Sequence, residues 1–532
     1  MKLTSLLFLC CINFSFSQIN TIGLQKTSTL ASEGYTLFSP EKNRNVFLID
    51  NCGEKVNQWT FNESPALTSY LLSNGNLLRA GADSLEIKNW ANQPVWSYAM
   101  SQNGYLQHHD IQPLPNGNIL CICTDSYDTS QAIAAGRKPS LSTNVVIFEK
   151  IVELKPIGTD SVELVWEWKF FDHIIQDFDS TKNNYGQVEN HPELLDVNFP
   201  ALLISDWIHL NSIHHNAELD QIIISARHLN EIYIIDHSTT TLEAAGHTGG
   251  NANRGGDFLW RWGNPQVYRK GGISDQTLFL QHDAKWVDSS YADAGKISVF
   301  NNQRGQNPDY SSMDLIQPQM NQFNYEMNAG KFLPDLAEYS WNGSTFGNVI
   351  YESKKSGWQS LPNGNLLICT TSNGQISEIT KTGEHLWAYR NPVGINNSLY
   401  QQFDIVPVDA NSIFRATKYP SSYSGFIGKD LSGKGIIENQ NSESLNCNSL
   451  SLSDNELTNK IIIANPVTQN QITFNQEVNI KNINIYSTSG QLIAQLDEFK
   501  GKDLQISLQN GTYFITFLSN ETFENKKLVV LK

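Results

Sequence analysis

Along most of the chain, apolar and polar residues alternate at a period of two. They do so in short runs rich in β-branched and aromatic side chains, broken by Gly, Asn and Asp. Period-two alternation is the mark of a half-buried strand, and no long stretch keeps the 3.6-residue period of an amphipathic helix. One phrase recurs: "YLLSNGNLLRA" from Tyr70, "QPLPNGNILCI" from Gln112 and "QSLPNGNLLIC" from Gln359. Looser copies start at His214, His282 and Phe403. Each reads as an incoming strand, a turn built on Asn-Gly or Asp, and an outgoing strand. Asn-Gly is the strongest short hairpin signal because both residues tolerate positive φ, which predicts a tight two-residue turn.

A second phrase interleaves with the first. It is Trp-x-aromatic, at Trp59/Phe61, Trp96/Tyr98, Trp166/Trp168, Trp260/Trp262 and Trp387/Tyr389. Spacing of two puts both rings on one face of a strand, where they can fill the gap to a neighbouring sheet. Repeated hairpins with repeated aromatic strands are how sheets stacked around an axis look in sequence. Six hairpins predict a six-bladed β-propeller from about residue 45 to 430, with long insertions at 170–206 and 238–281. A TIM barrel or a Rossmann fold would need helices between the strands. After Asp430 the stretch "NQNSESLNCNSLSLSDNELTNK" is a Ser/Asn-rich linker. Beyond it, alternating strands around Asn-Gly and Ser-Gly turns predict a small β-sandwich. The whole is all-β.

The first residues, "MKLTSLLFLCCINFSFSQ", have a basic start, a short apolar core and a small-residue exit. They predict a secretory signal cut before Gln18. The domain layout is then 1–17 signal peptide, 18–430 propeller, 431–458 linker and 459–532 C-terminal β-sandwich. The formal net charge of −16 argues against a nucleic-acid partner, and no apolar run is long enough to span a membrane. The mature chain keeps Cys52, Cys121, Cys123, Cys369 and Cys447, in no zinc-binding spacing. Buried thiols and one disulfide are expected.

The chemistry is read from residues that precede the hairpin turns. A propeller's innermost strands lie at its axis, so these positions face a shared channel. They include His108, His109 and Asp110; Asp206, Trp207 and His209, with Arg227 ending the following strand; His282 and Asp283; and Trp358 and Gln359. The sixth repeat offers Phe403 and Asp404, without a histidine. Imidazoles and a guanidinium around one axis suit an oxyanion, since Arg presents a rigid fork and His can attack or move a proton near neutral pH. Turn-stabilising His–Asp bonds and a zinc site are the competing readings of the same residues. His173, His191, His237, His247 and His385 are read as loop or surface residues, with His191 and His247 able to rim the pocket.

At these residues the chain resembles the arylsulfate sulfotransferases that work without PAPS. The stretches are "HHDIQPLPNGNIL", "DWIHLNSIHHN", "IIISARHLNEIYIID", "AGHTGGN", "FLWRWGNPQ", "QHDAKW", "SVFNNQ", "SLPNGNLLIC" and "FRATKYPSSYSG", covering about residues 105 to 430. The resemblance implies a six-bladed propeller and ping-pong transfer of a sulfuryl group from a phenolic sulfate to a phenol. His282 would be the nucleophile. His209 and Arg227 would hold the sulfuryl oxygens, and His109, beside Asp110, would act as an acid or base. No cofactor and no metal are implied. The family's N-terminal dimerisation domain has no room here, which points to a monomer, and its disulfide near the active site has no counterpart. The last ~70 residues, with "NPV", "SGQLI" and "GTYF", are similar to the C-terminal sorting domain of type IX secretion cargo. That implies the secretion machinery as a partner and a secreted or cell-surface protein. A non-catalytic propeller that binds a sulfated ligand, and a metal-dependent hydrolase, are the alternatives.

Overall fold

The computed structural model describes residues 20–305, 309–343, 349–438, 467, 471–487, 491–519 and 522–530. The expected signal segment, most of the linker and the Asn465-Pro466 and Ser489-Gly490 turns lie outside them. The chain divides into two compact units, Met1–Leu445 and Asn446–Lys532.

The first unit holds six antiparallel sheets of four strands, one of which gains a fifth. Taken around the ring, from the first sheet to the sixth, their innermost strands are Ile413–Pro420, Pro65–Leu71, Gln107–Pro113, Leu210–Asn216, His282–Trp286 and Gly357–Ser360. Each inner strand packs against the next, and the sixth packs back on the first, so the sheets form a closed ring. Closure leaves no exposed inner edge, the propeller's answer to the edge-strand problem.

Aromatic side chains mark the other end of each sheet. Trp59, Trp96, Trp166, Trp260 and Trp387 all lie on outer strands. Each indole N–H crosses to the following sheet or its loops: Trp59 to Asn89 O (2.8 Å), Trp96 to Ser161 O (3.1 Å), Trp166 to Thr239 Oγ1 (3.1 Å), Trp260 to Leu333 O (2.9 Å) and Trp387 to Asn51 O (2.8 Å). A Trp buries a large apolar face yet still needs a partner for its N–H, and a neighbouring carbonyl, or for Trp166 the Thr239 hydroxyl, supplies it. The fifth sheet carries the same idea in reverse order, as Tyr339-Ser340-Trp341.

Two expectations are corrected. The sixth hairpin does not form at Phe403. Residues 401–410 are largely exposed and carry no strand, and Asp404 accepts a bond from Gln401 N instead of facing the axis. The strand that follows, Ile413–Pro420, instead pairs with Gly34–Pro40 and becomes the inner strand of the first sheet. A local hairpin search cannot find a pairing between residues so far apart. The Asn-Gly turns also differ from the two-residue form. Leu114 N–H donates to Asn118 O and Gly117 N–H to Leu114 O, and only the glycine has positive φ (89°). Pro115 fixes its own φ near −65°, which excludes a mirror-type turn and leaves a type I turn closed by a left-handed Gly. The Asn116 side chain caps it by accepting from Asn118 N (2.9 Å).

One buried network ties all six sheets at the hub. Arg415, on the first sheet, is paired with Asp110 of the third (2.9 Å) and Asp283 of the fifth (2.8 Å). Tyr70 of the second donates to Asp110 (2.8 Å), as does Ile213 N of the fourth (3.2 Å). Trp358 N of the sixth donates to Asp283 (3.0 Å).

The second unit is one antiparallel sheet in the order Leu492–Gln505, Gln471–Ser487, Gly511–Ser519, Thr522–Val530. Its core holds Ile472, Phe474, Ile480, Ile483, Ile485, Ile515 and Phe517.

Candidate functional site

The inner strands do not begin as regular β-structure. Three of them carry a register shift close to a histidine: between the partners of Gln107 and Ile111, of Leu210 and Ser212, and of His282 and Lys285. His109, His209 and Asp283 sit there at φ of 57°, 58° and 58°. Left-handed backbone at a non-Gly residue costs free energy, and bulges re-aim side chains; both cluster where side chains are functional. Here they turn the imidazoles toward one another at the starts of the strands. The cavity at the turn ends, of about 850 Å³, is lined by Tyr70, Asp110, His214, Asp283, Lys285 and Arg415 and by none of His109, His209, Arg227 or His282.

His282 is buried, and two bonds fix its tautomer. Asn302 Nδ2 donates to Glu352 O (3.0 Å) and Lys355 O (2.8 Å), which leaves its Oδ1 to accept from His282 Nδ1 (2.7 Å). The proton of a neutral His282 is therefore on Nδ1, and Nε2 carries a lone pair. That lone pair accepts a long bond from Lys355 N (3.2 Å). Burial, and the nearby positive charges of Arg227, His209 and Arg415, hold the ring's pKa at about 3 against the raising effect of Asn302. His282 is thus neutral at physiological pH.

His209 Nδ1 faces Asp206 Oδ2, whose carboxyl is held down, against its burial, by that bond. His209 Nε2 meets His109 Nε2 at 3.0 Å. Burial, then the neighbouring His108 and His209, push the pKa of His109 well down, and its Nδ1 is buried without a partner. The pair is a short proton-holding link. His108 turns to Glu149, so of the two adjacent histidines it is His109 that bonds to His209. Arg227 opens the turn after Gln221–Ala226, where Arg227 N–H donates to His209 O (3.0 Å). Its guanidinium bonds His228 Nε2 (2.8 Å), and His228 is anchored by Asp206 O (2.8 Å). The four expected residues are thus brought to one end of the hub.

Sequence reasoning gave no role to Asn302, Lys355, His228 or Arg415. Asn302 and Arg415 lie in "SVFNNQ" and "FRATKYP", so their stretches carried a signal; Lys355 lies in none. Cys121, Cys123 and Cys369 are free buried thiols and Cys52 is disulfide-bonded.

A half-buried histidine outside this group gives a test of local desolvation. His214 lies on the same inner strand as the "HHN" end, and burial, then Lys285, hold its pKa at about 3 against an ordinary 6.5. The folded state keeps it neutral while the unfolded chain protonates below pH 6.5, so its stability contribution is full above that value. It is lost as pH falls toward 3. Urea melts between pH ~7 and pH ~4 should show stability falling with acid. His214→Asn should remove up to about 1.4 kcal/mol per pH unit of that slope. An unchanged slope contradicts the assignment.

Comparison with known proteins adds to this geometry. Solved structures that share its outline include a protein of unknown function from Bacteroides caccae (11% identity, TM-score 0.40, covering 73% of this chain and 99% of that one). They also include the β-propeller domain of Cps50 (Swd1) from Myceliophteria thermophila (7% identity, TM-score 0.35, 76% and 97%). At such scores the likenesses carry no argument, and the fold is read from strand pairing. No curated protein matches the chain in sequence. Residues 462–531 match the secretion system C-terminal sorting domain, which directs type IX secretion and marks the protein as secreted or displayed at the cell surface. Residues 70–392, more than half of the chain and all the strands that carry the histidines, match the arylsulfotransferase (ASST) model, and the chain therefore belongs to the arylsulfotransferase family.

Proposed function

We propose that the protein moves a sulfuryl group from a phenolic sulfate ester to a phenol in two steps through His282, without PAPS and as a monomer. The observation that carries this reading is the state of His282: its proton is tied to Asn302 and its Nε2 lone pair is held only by a long bond from Lys355 N, in a ring kept neutral by burial and the nearby charge of Arg227. In the first step Nε2 attacks sulfur and the S–O bond to the aryl group breaks. The leaving phenolate takes a proton from the His109–His209 link. In the second step the acceptor oxygen attacks sulfur, the N–S bond breaks, and the acceptor's proton returns to that link. Proton transfer of this kind contributes about 10²–10⁴-fold. Arg227 holds the sulfuryl oxygens where charge builds up, and His209 joins it by turning its Nε2 from His109 to the ester. The long bond from Lys355 N gives way as sulfur approaches.

Residues 1–17 serve as the signal peptide in this reading, residues 18–430 carry the chemistry, and residues 459–532, after the linker, serve export. The ring nitrogens of His108, His109 and His209 lie within 4.8 Å of one another, which favours a second reading as a metal-dependent hydrolase. One assay separates them. With p-nitrophenyl sulfate, nitrophenol release should require an added phenol and survive a chelator. Release into water alone, lost with chelator, supports the hydrolase. Binding of the ester with no release under either condition supports a binding propeller.

A further inference from the structure

Two insertions meet beside the third sheet. Its outer strand ends in the turn Phe170–His173, and the ring of His173 stacks on Trp168 (5.5 Å between centroids, 5° between planes). The His173 side chain is fully buried. Its Nε2 lies 2.8 Å from Ala244 O, the last carbonyl of the short helix Thr241–Ala244. A carbonyl only accepts, so Nε2 carries the proton. The neutral ring then presents a bare lone pair at Nδ1, and 2.8 Å away stands Asp257 Oδ1, another acceptor. His247 Nδ1 reaches the same oxygen, also at 2.8 Å. Two imidazole nitrogens and a carboxylate oxygen converge, and a proton or a cation has to sit among them.

The surroundings are built for close approach. At Gly256 a Cβ would fall 2.0 Å from Ala244 O and 2.5 Å from His173 Nε2, so only glycine lets Asp257 and the ring come together. His247, by contrast, is 60% exposed and borders a cavity of about 920 Å³ that also holds His191, Lys182 and Tyr185. The site therefore has a rigid half and an open half. A second cluster, His215–Asp220–His237, differs: His237 has a carboxylate on each ring nitrogen, Asp220 and Glu153, so two negative charges balance its imidazolium and no carbonyl fixes a tautomer with a bare nitrogen.

We propose that His173, His247 and Asp257 bind one divalent late transition cation of the zinc class, with water or a small anion from the cavity completing its coordination. Two imidazoles and a carboxylate are a common ligand set for such an ion, and a ligating histidine characteristically donates its other N–H to a carbonyl. Metal–ligand bonds of about 2.0–2.1 Å set tetrahedral ligands roughly 3.3 Å apart, so the triad opens by about half an ångström, which the exposed His247 can accommodate. The ion would pin the insertion loop 246–257 to the third sheet.

The test uses the full chain stripped with chelator. Calorimetry with Zn²⁺, and the visible bands of Co²⁺ in a tetrahedral site, should show one equivalent bound. His247→Ala, at an exposed position, should weaken that equivalent at least about 100-fold, at or beyond the upper end of what losing an outer-shell partner costs. His215→Ala should leave it intact. No uptake by the wild-type chain at micromolar Zn²⁺ overturns the proposal, and so does unchanged uptake by His247→Ala. Loss of the equivalent in His215→Ala with retention in His247→Ala overturns it as well.

Discussion

His282→Asn should reduce aryl-sulfate turnover by about 10⁴-fold or more, as removal of a covalent nucleophile does elsewhere. The effect is large because nothing else in the group can replace it. His109 and His209 spend a ring nitrogen each on the other, and His108 faces Glu149. His282 alone combines a fixed proton, a neutral ring and an Nε2 bound only by a long main-chain contact. The substitution should leave the fold intact, because Asn302 keeps its bonds to Glu352 O and Lys355 O. Steady-state rates with p-nitrophenyl sulfate and phenol, beside circular dichroism of both proteins, check this. A variant that keeps a tenth of the activity would remove His282 from the mechanism.

Arg415→Met should cost about 3–5 kcal/mol of stability, the range for breaking a buried ion pair. The guanidinium bridges Asp110 and Asp283, both fully buried; Lys285 also pairs with Asp283 (2.7 Å). Methionine would leave Asp110 with Tyr70 and Ile213 N, while Asp283 keeps Lys285 and Trp358 N. The loss should also reach the chemistry, since each carboxylate follows a site histidine by one residue. Urea midpoints measure the first effect; residual transfer activity below the transition measures the second. A change under 1 kcal/mol would show that the hub is held by apolar packing alone.

How much of this was legible beforehand depends on sequence distance. The hairpins around Asn74-Gly75, Asn116-Gly117 and Asn363-Gly364 were readable because a turn and its two strands are local. The aromatic pairs were readable because period two survives in any strand. The closure by Ile413–Pro420 on Gly34–Pro40 was not, since nothing in either segment names the other. Within the site, His109, His209, Arg227 and His282 stood out because imidazole and guanidinium are unusual at strand starts. Asn302 and Lys355 did not, because their roles come from bonds across sheets: an amide whose orientation is fixed by Glu352 O, and a main-chain N–H. The exact turn type was not legible because Asn-Gly also closes type I turns with a left-handed Gly, at Ser73-Asn74-Gly75 without a proline as at Pro115-Asn116-Gly117 with one.

The most direct measurement is mass analysis of the protein quenched after mixing with an aryl sulfate and no acceptor. The account predicts a peptide containing His282 heavier by one SO₃ group, with the label discharged when phenol is added. An unmodified His282 peptide during a burst of phenol release, or label on His109 or His209, would contradict it.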